Sequence, residues 1–244
     1  MTLKETENQE VKEATEKRIT NICLNRLRDN LAGILIFGSY NTGEFVLGKS
    51  DIDLLILLKE DNGMKFQKEE DILKHVELTD LKPSIVHFRP LEDYKEHIYR
   101  EGAWSSWITI ICGSKVIYST EDFEKFRTYL EQHPLSSENL KDYIKTKDYI
   151  ELEGYFKRNS GWNLTKAYYS HLRRKLQILN FLEGNTLDFD FTTCLNNLDC
   201  LIENKLLQKI EKLYKERKEI TEQEVKKYYV LAKKLTKQIL EKLK

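Results

Sequence analysis

Two aspartates, Asp51 and Asp53, stand one residue apart at the head of SDIDLLILL, a run that is otherwise apolar from Ile52 to Leu58. A buried carboxylate is costly to desolvate, and a second of like charge raises the cost. A chain that threads two of them through a strand must therefore neutralise them. In a β-strand, residues two apart share one face, with Cα atoms about 6.6 Å apart. Asp51 and Asp53 then point one way while Ile52 and Leu54 point into the core. Carboxylates so placed can share divalent cations, which accounts for their presence.

Upstream, ILIFGS reads as a strand that ends in a turn at Gly38 and Ser39. Backbone N–H groups and a small hydroxyl in such a turn can approach phosphate oxygens. The segment TGEFVLGK, flanked by Gly43 and Gly48, reads as a short loop or helical turn leading into the aspartate strand. A phosphate cradle thus precedes a metal-binding pair.

The series Phe37, Gly38, Ser39, eleven intervening residues, then Asp51, Ile52, Asp53 and Leu54, with Ser50 just before, resembles the signature of the nucleotidyltransferase superfamily that includes DNA polymerase β. The resemblance implies an α+β nucleotidyltransferase domain, a small mixed sheet with flanking helices, followed by an all-α helical bundle like that of kanamycin-type and minimal nucleotidyltransferases. It implies transfer of a nucleoside monophosphate from an NTP, with ATP expected, to an acceptor hydroxyl. Mg²⁺, as a two-metal site, would be held by Asp51 and Asp53, and Gly38, Ser39 and Ser50 would bind the nucleotide.

Members of this superfamily usually supply a third acidic residue from a later strand. The strand available here is SIVHF, where register puts Ser84 in that slot. Glu77 and Asp80 precede it, Glu92 and Asp93 follow, and Asp148, Glu151 and Glu153 lie on the helical side, where kanamycin-type enzymes carry their base. His87 is a further candidate, imidazole being the commonest general base near neutral pH. The missing acid also keeps open a non-catalytic nucleotide- or RNA-binding module, antitoxin-like, on the same fold.

Along the chain, helical periodicity covers Val11 to Asn30 through Ile19, Ile22, Cys23, Leu24 and Leu27. Lys65 to Val76 and LEDYKEHIYREG read as helices, SIVHF as a strand, and WITIICGSKVIYS as two short strands or a strand and turn. After Ser119 strand signals fade. TEDFEKFRTYLEQH predicts a linking helix, Pro134 and SSEN a boundary, and the remainder helices, the last opened by Thr221 and Glu224 in capping-box spacing. We expect two domains, 1–120 and 121–244.

The formal net charge is zero, but residues 1–124 carry 16 basic and 23 acidic groups and the rest 24 and 17, balances of −7 and +7. A basic acceptor-facing half favours an anionic acceptor such as RNA over a polycationic aminoglycoside. Lys166, Tyr169 and Arg173, with Arg174 beside them, fall near one helix face that could grip a triphosphate or nucleic-acid backbone. Arg127 and His133 fit loosely the Arg-to-His spacing of ribonucleases with the higher eukaryotes and prokaryotes nucleotide-binding domain, but on the linking helix. Trp104 and Trp107 could stack on bases or anchor the core.

Cys23, Cys112, Cys194 and Cys200 lack metal-ligand or disulfide-framework spacing and read as reduced packing residues. The longest apolar runs fall well short of the ~20 residues that span a bilayer, and the charged start MTLKETENQEVKEATEKR is unlike a secretion signal. The expectation is a cytoplasmic protein with no membrane partner.

Overall fold

The structure is a computed structural model that describes residues 3–41, 52–61, 83–148, 154, 159–188, 190–198 and 204–244. The expected helix at Lys65 to Val76 and the loop TGEFVLGK lie outside the described residues. The chain divides into two compact units, the first formed by Met1–Ile98 and Ser106–Pro134, the second by Tyr99–Ser105 and Leu135–Lys244.

In the first unit a four-stranded mixed sheet takes the order β3-β2-β1-β4, from β1 (Leu31–Phe37), β2 (Ile52–Leu58), β3 (Pro83–Pro90) and β4 (Ser114–Ser119). β1 pairs antiparallel with β2 and with β4, and β2 pairs parallel with β3. The near-continuous apolar sequences LAGILIF and IDLLILL suit central strands covered on both faces. One face, carrying Ile34, Ile36, Ile52, Leu54 and Ile56, packs with Ile19, Cys23 and Leu27 of α1 (Leu3–Leu27) in one apolar core. On the opposite face Gly33 leaves room for α4 (Glu121–Gln132): a Cβ at Gly33 would stand 3.0 Å from Phe123 Cδ2.

The helix expected from LEDYKEHIYREG is α2 (Leu91–Arg100). The apolar run that begins at Trp107 is not a strand. Trp104–Ile111 is the helix α3, and only Ser114–Ser119 continues as strand β4. A six-residue apolar run carries no period that separates a buried strand from a buried helix. Here Trp107 Nε1 donates to the Leu130 carbonyl at 3.2 Å and ties α3 to α4.

The second unit is helical: α5 (Ser137–Tyr143) running into a π-helical turn over Ile144–Asp148, α6 (Gly161–Leu182), α7 (Phe191–Asn196), α8 (Asn204–Lys215) and α9 (Glu222–Lys242). Ser136 caps α5 through a capping box with Asn139, and Thr221 and Glu224 form the expected box at the start of α9. Tyr169 stacks on Tyr214 with ring centroids 3.8 Å apart and on Phe191 at 4.9 Å, which joins α6 to α8 and α7. Cys23 and Cys194 are buried free thiols and Cys112 is half-buried, while Cys200 lies outside the described residues. No described helix is long and apolar enough to cross a membrane.

Candidate active site

The first unit brings the Gly-Ser turn and the aspartate strand together because β1 and β2 are antiparallel neighbours whose register sets Phe37 opposite Asp53. Asp53 is half-buried, flanked by the fully buried Ile52 and Leu54. It therefore takes the sheet face opposite the α1 core, as the two-residue period predicts. Asp51 and Ser50 lie outside the described residues.

Beyond Phe37 the chain turns through a short 3₁₀ segment, Gly38–Tyr40. Gly38 has φ +69°, in the left-handed region that favours glycine. A Cβ there would fall inside van der Waals contact with Asp53 Oδ2 and would stand 3.3 Å from Asp53 Cγ. The turn's backbone and the Asp53 carboxylate are thus packed directly against each other. A backbone turn beside a carboxylate is a donor set that fits a divalent cation, which Asp53 would hold. Among the described residues, no group of three or more His, Cys, Asp or Glu could hold a metal by itself.

The parallel pairing of β3 sets Asp53 opposite Ile85, with an irregularity that leaves Ser84 between the paired Pro83 and Ile85. No acid stands in that part of β3. Two residues on, His87 pairs with Leu55, and its ring stacks on Phe37 with centroids 6.5 Å apart and planes 15° from parallel. His87 therefore shares the Asp53 face. Its pKa is lowered from the ordinary 6.5 by partial burial and then by Arg89, against the opposing pull of the Asp53 charge, with His97 lowering it further. At neutral pH the ring is a neutral proton acceptor. Glu77, Asp80, Glu151 and Glu153 lie outside the described residues. Asp148 ends the π-helical turn, and Glu92 and Asp93 are exposed in the first turn of α2.

The other candidates are engaged in packing. Arg127 pairs with Glu131 and donates to the Ile111 carbonyl at 3.1 Å, while the His133 ring stacks on Tyr129 at 4.3 Å. Trp104 and Trp107 are core residues, 0% and 2% exposed. On α6 Tyr169 is buried, Arg173 lies over its ring at 5.5 Å and Arg174 donates to the Tyr143 hydroxyl at 3.1 Å, which leaves Lys166 as the exposed member of that group. Sequence reasoning missed Tyr40, a buried aromatic directly after the Gly-Ser pair. An aromatic residue heading an otherwise polar stretch, YNTGE, was the available signal.

The nucleotidyltransferase domain family matches residues 16–106, a span that contains the turn, Asp53 and β3. Residues 16–106 are a nucleotidyltransferase domain. That match agrees with what the Gly-Ser and Asp-Ile-Asp series implies. The chain also shares a fold with spectinomycin adenyltransferase AAD(9) from Enterococcus faecialis, whose structure holds ATP and spectinomycin. The identity is 14% and the TM-score 0.55, over 93% of this chain and 98% of that one. A toxin-antitoxin structure with AMP-PNP is 24% identical over 46% of this chain and 86% of that one, with a TM-score of 0.30. A mutant MntA-HpeT toxin-antitoxin is 20% identical over 48% and 87%, with a TM-score of 0.31. No curated protein matches the chain.

Proposed function

We propose that this chain is a nucleotidyltransferase that transfers AMP from ATP to an acceptor hydroxyl. The observation that carries the reading is the packing of the Gly38 turn against the Asp53 carboxylate. Gly38 and Ser39 would hold the triphosphate, with Ser50 beside them. Asp53, with Asp51 two residues before it, would hold Mg²⁺. Mg²⁺ bound there would neutralise phosphate charge and favour departure of pyrophosphate. The acceptor oxygen attacks the α-phosphorus, the bond from that phosphorus to the bridging oxygen breaks, and pyrophosphate leaves. We assign the acceptor's proton to a ring nitrogen of His87, which shares the Asp53 face and takes the role of the third acid that β3 lacks. His87→Gln is expected to lower turnover by roughly 10²-fold with ATP affinity little changed. Unaltered turnover in steady-state assays would transfer the role to a carboxylate of the helical half.

For the acceptor we favour an anion, RNA first, on the +7 balance of residues 125–244. A second reading, a small hydroxylated molecule, is favoured by the fold shared with a spectinomycin adenyltransferase across nearly the whole length of both chains. Transfer of label from α-labelled ATP in the presence of Mg²⁺, offered RNA, protein and small hydroxylated compounds in parallel, separates them. Labelled RNA, with association weakening by a log-log slope of roughly −0.7 per phosphate contacted and flattened by Lys166→Glu, supports the first. Saturable labelling of a small compound with salt-insensitive RNA binding replaces it with the second. ATP binding without transfer to any acceptor marks a binding module instead.

A further inference from the structure

The residue after the Gly-Ser pair is held in an unusual way. Tyr40 is 4% exposed, although it belongs to a turn, and its hydroxyl donates to Glu16 Oε1 on α1 at 2.8 Å, with the Lys12 carbonyl oxygen at 3.2 Å. Glu16 in turn receives Lys115 Nζ of β4, 2.7 Å from each of its carboxylate oxygens. The Lys12 ammonium stands 4.9 Å from the centroid of the Tyr40 ring. Lys115 pairs in register with Ile36, two residues before Gly38. The turn is therefore clamped to the helix on one side and, through a shared carboxylate, to the neighbouring strand on the other.

A clamp at this point has a chemical use. A backbone phosphate cradle works only if its N–H groups already point at the oxygens, since ordering a loose turn at binding subtracts from affinity. Gly38 supplies no side chain with which to fix the turn, and the glycine itself loosens it. Burying a tyrosine hydroxyl against a carboxylate that is itself paired satisfies the hydroxyl and makes the clamp's geometry specific. Burial and the Glu16 charge both raise the Tyr40 pKa, so the phenol stays protonated and remains a donor.

We propose that Tyr40, Glu16 and Lys115 are positioning residues that preorganise the Gly38–Ser39 turn for the triphosphate. This rests on the nucleotidyltransferase reading above. The test uses the full chain and ATP itself. Tyr40→Phe keeps the ring and removes only the hydroxyl. Glu16→Gln keeps the shape and removes the charge. Each is expected to raise the Kd for ATP by titration calorimetry, and the KM for ATP, about 5- to 10-fold, while kcat at saturating ATP changes less than about twofold. The double variant should lose no more than Glu16→Gln alone, because the two groups act through one contact. Glu16→Lys and Lys115→Glu should each weaken ATP binding, and their combination should restore part of it. Thermal melting identifies any variant that fails to fold, and the exposed Lys115→Met then serves in its place. A role confined to holding the domain together would lower the melting temperature and leave KM and Kd of the folded protein alone, and that result overturns the proposal. ATP binding by the unaltered chain with unchanged affinity in folded Tyr40→Phe and Glu16→Gln overturns it by itself. An unaltered chain that binds no ATP removes the nucleotidyltransferase reading and this proposal together.

Discussion

Asp53→Asn is expected to abolish Mg²⁺-dependent nucleotidyl transfer, by roughly 10³-fold or more, the scale of losing a group that holds the reacting centre. Asp51→Asn should do the same if the two act as one ligand pair. The fold should survive either change. Asp53 is only half-buried, Asn has nearly the same shape, and removing one of two like charges relieves their repulsion. Transfer of label from α-labelled ATP measures the first effect and thermal melting the second. Full activity in Asp53→Asn would end the assignment of this carboxylate to the metal.

Gly38→Ala is expected to act on both stability and transfer. At φ +69° an alanine pays about 1–2 kcal/mol for the left-handed conformation. The added methyl also meets Asp53 Oδ2 inside contact distance, so the carboxylate or the turn must move. Displacing either by about 1 Å is enough to cost on the order of 10² in rate at a site that works by positioning. Steady-state kinetics with ATP beside a chemical-denaturation curve separates the two contributions. A variant that melts as the unaltered chain does and transfers label at the same rate would show that the turn is not part of the site.

The candidate site was legible in the sequence where its pattern is local. Gly38 and Ser39 end one strand, Asp53 opens the next, and the strand period alone sends Asp53 and Ile52 to opposite faces. The structure agrees, with Ile52 fully buried and Asp53 half-exposed. The sequence was silent where two readings share one pattern. WITIIC suits a strand or a helix equally, and only its packing, with Trp107 bonded to Leu130, makes it α3. A tyrosine and two arginines that looked like a gripping face on α6 are taken up by stacking and by Tyr143, because helical spacing says which residues are neighbours and not which of them meet the core.

What the sequence determined by itself is the class of the first unit. An Asp-Ile-Asp pair at the head of an apolar strand, spaced from a Gly-Ser turn, leaves few ways to neutralise its charge, and residues 16–106 form a nucleotidyltransferase domain. Tertiary structure alone decided what surrounds Asp53. The β1–β2 register brings Gly38 onto the Asp53 carboxylate, and the parallel β3 carries His87 to the same face. Tyr40 finds Glu16 across 24 positions and Glu16 finds Lys115 across 99. Periodicity reports only which way a residue points on its own element. Partners that far apart in the chain meet only after the sheet and α1 have packed, so no local pattern encodes them.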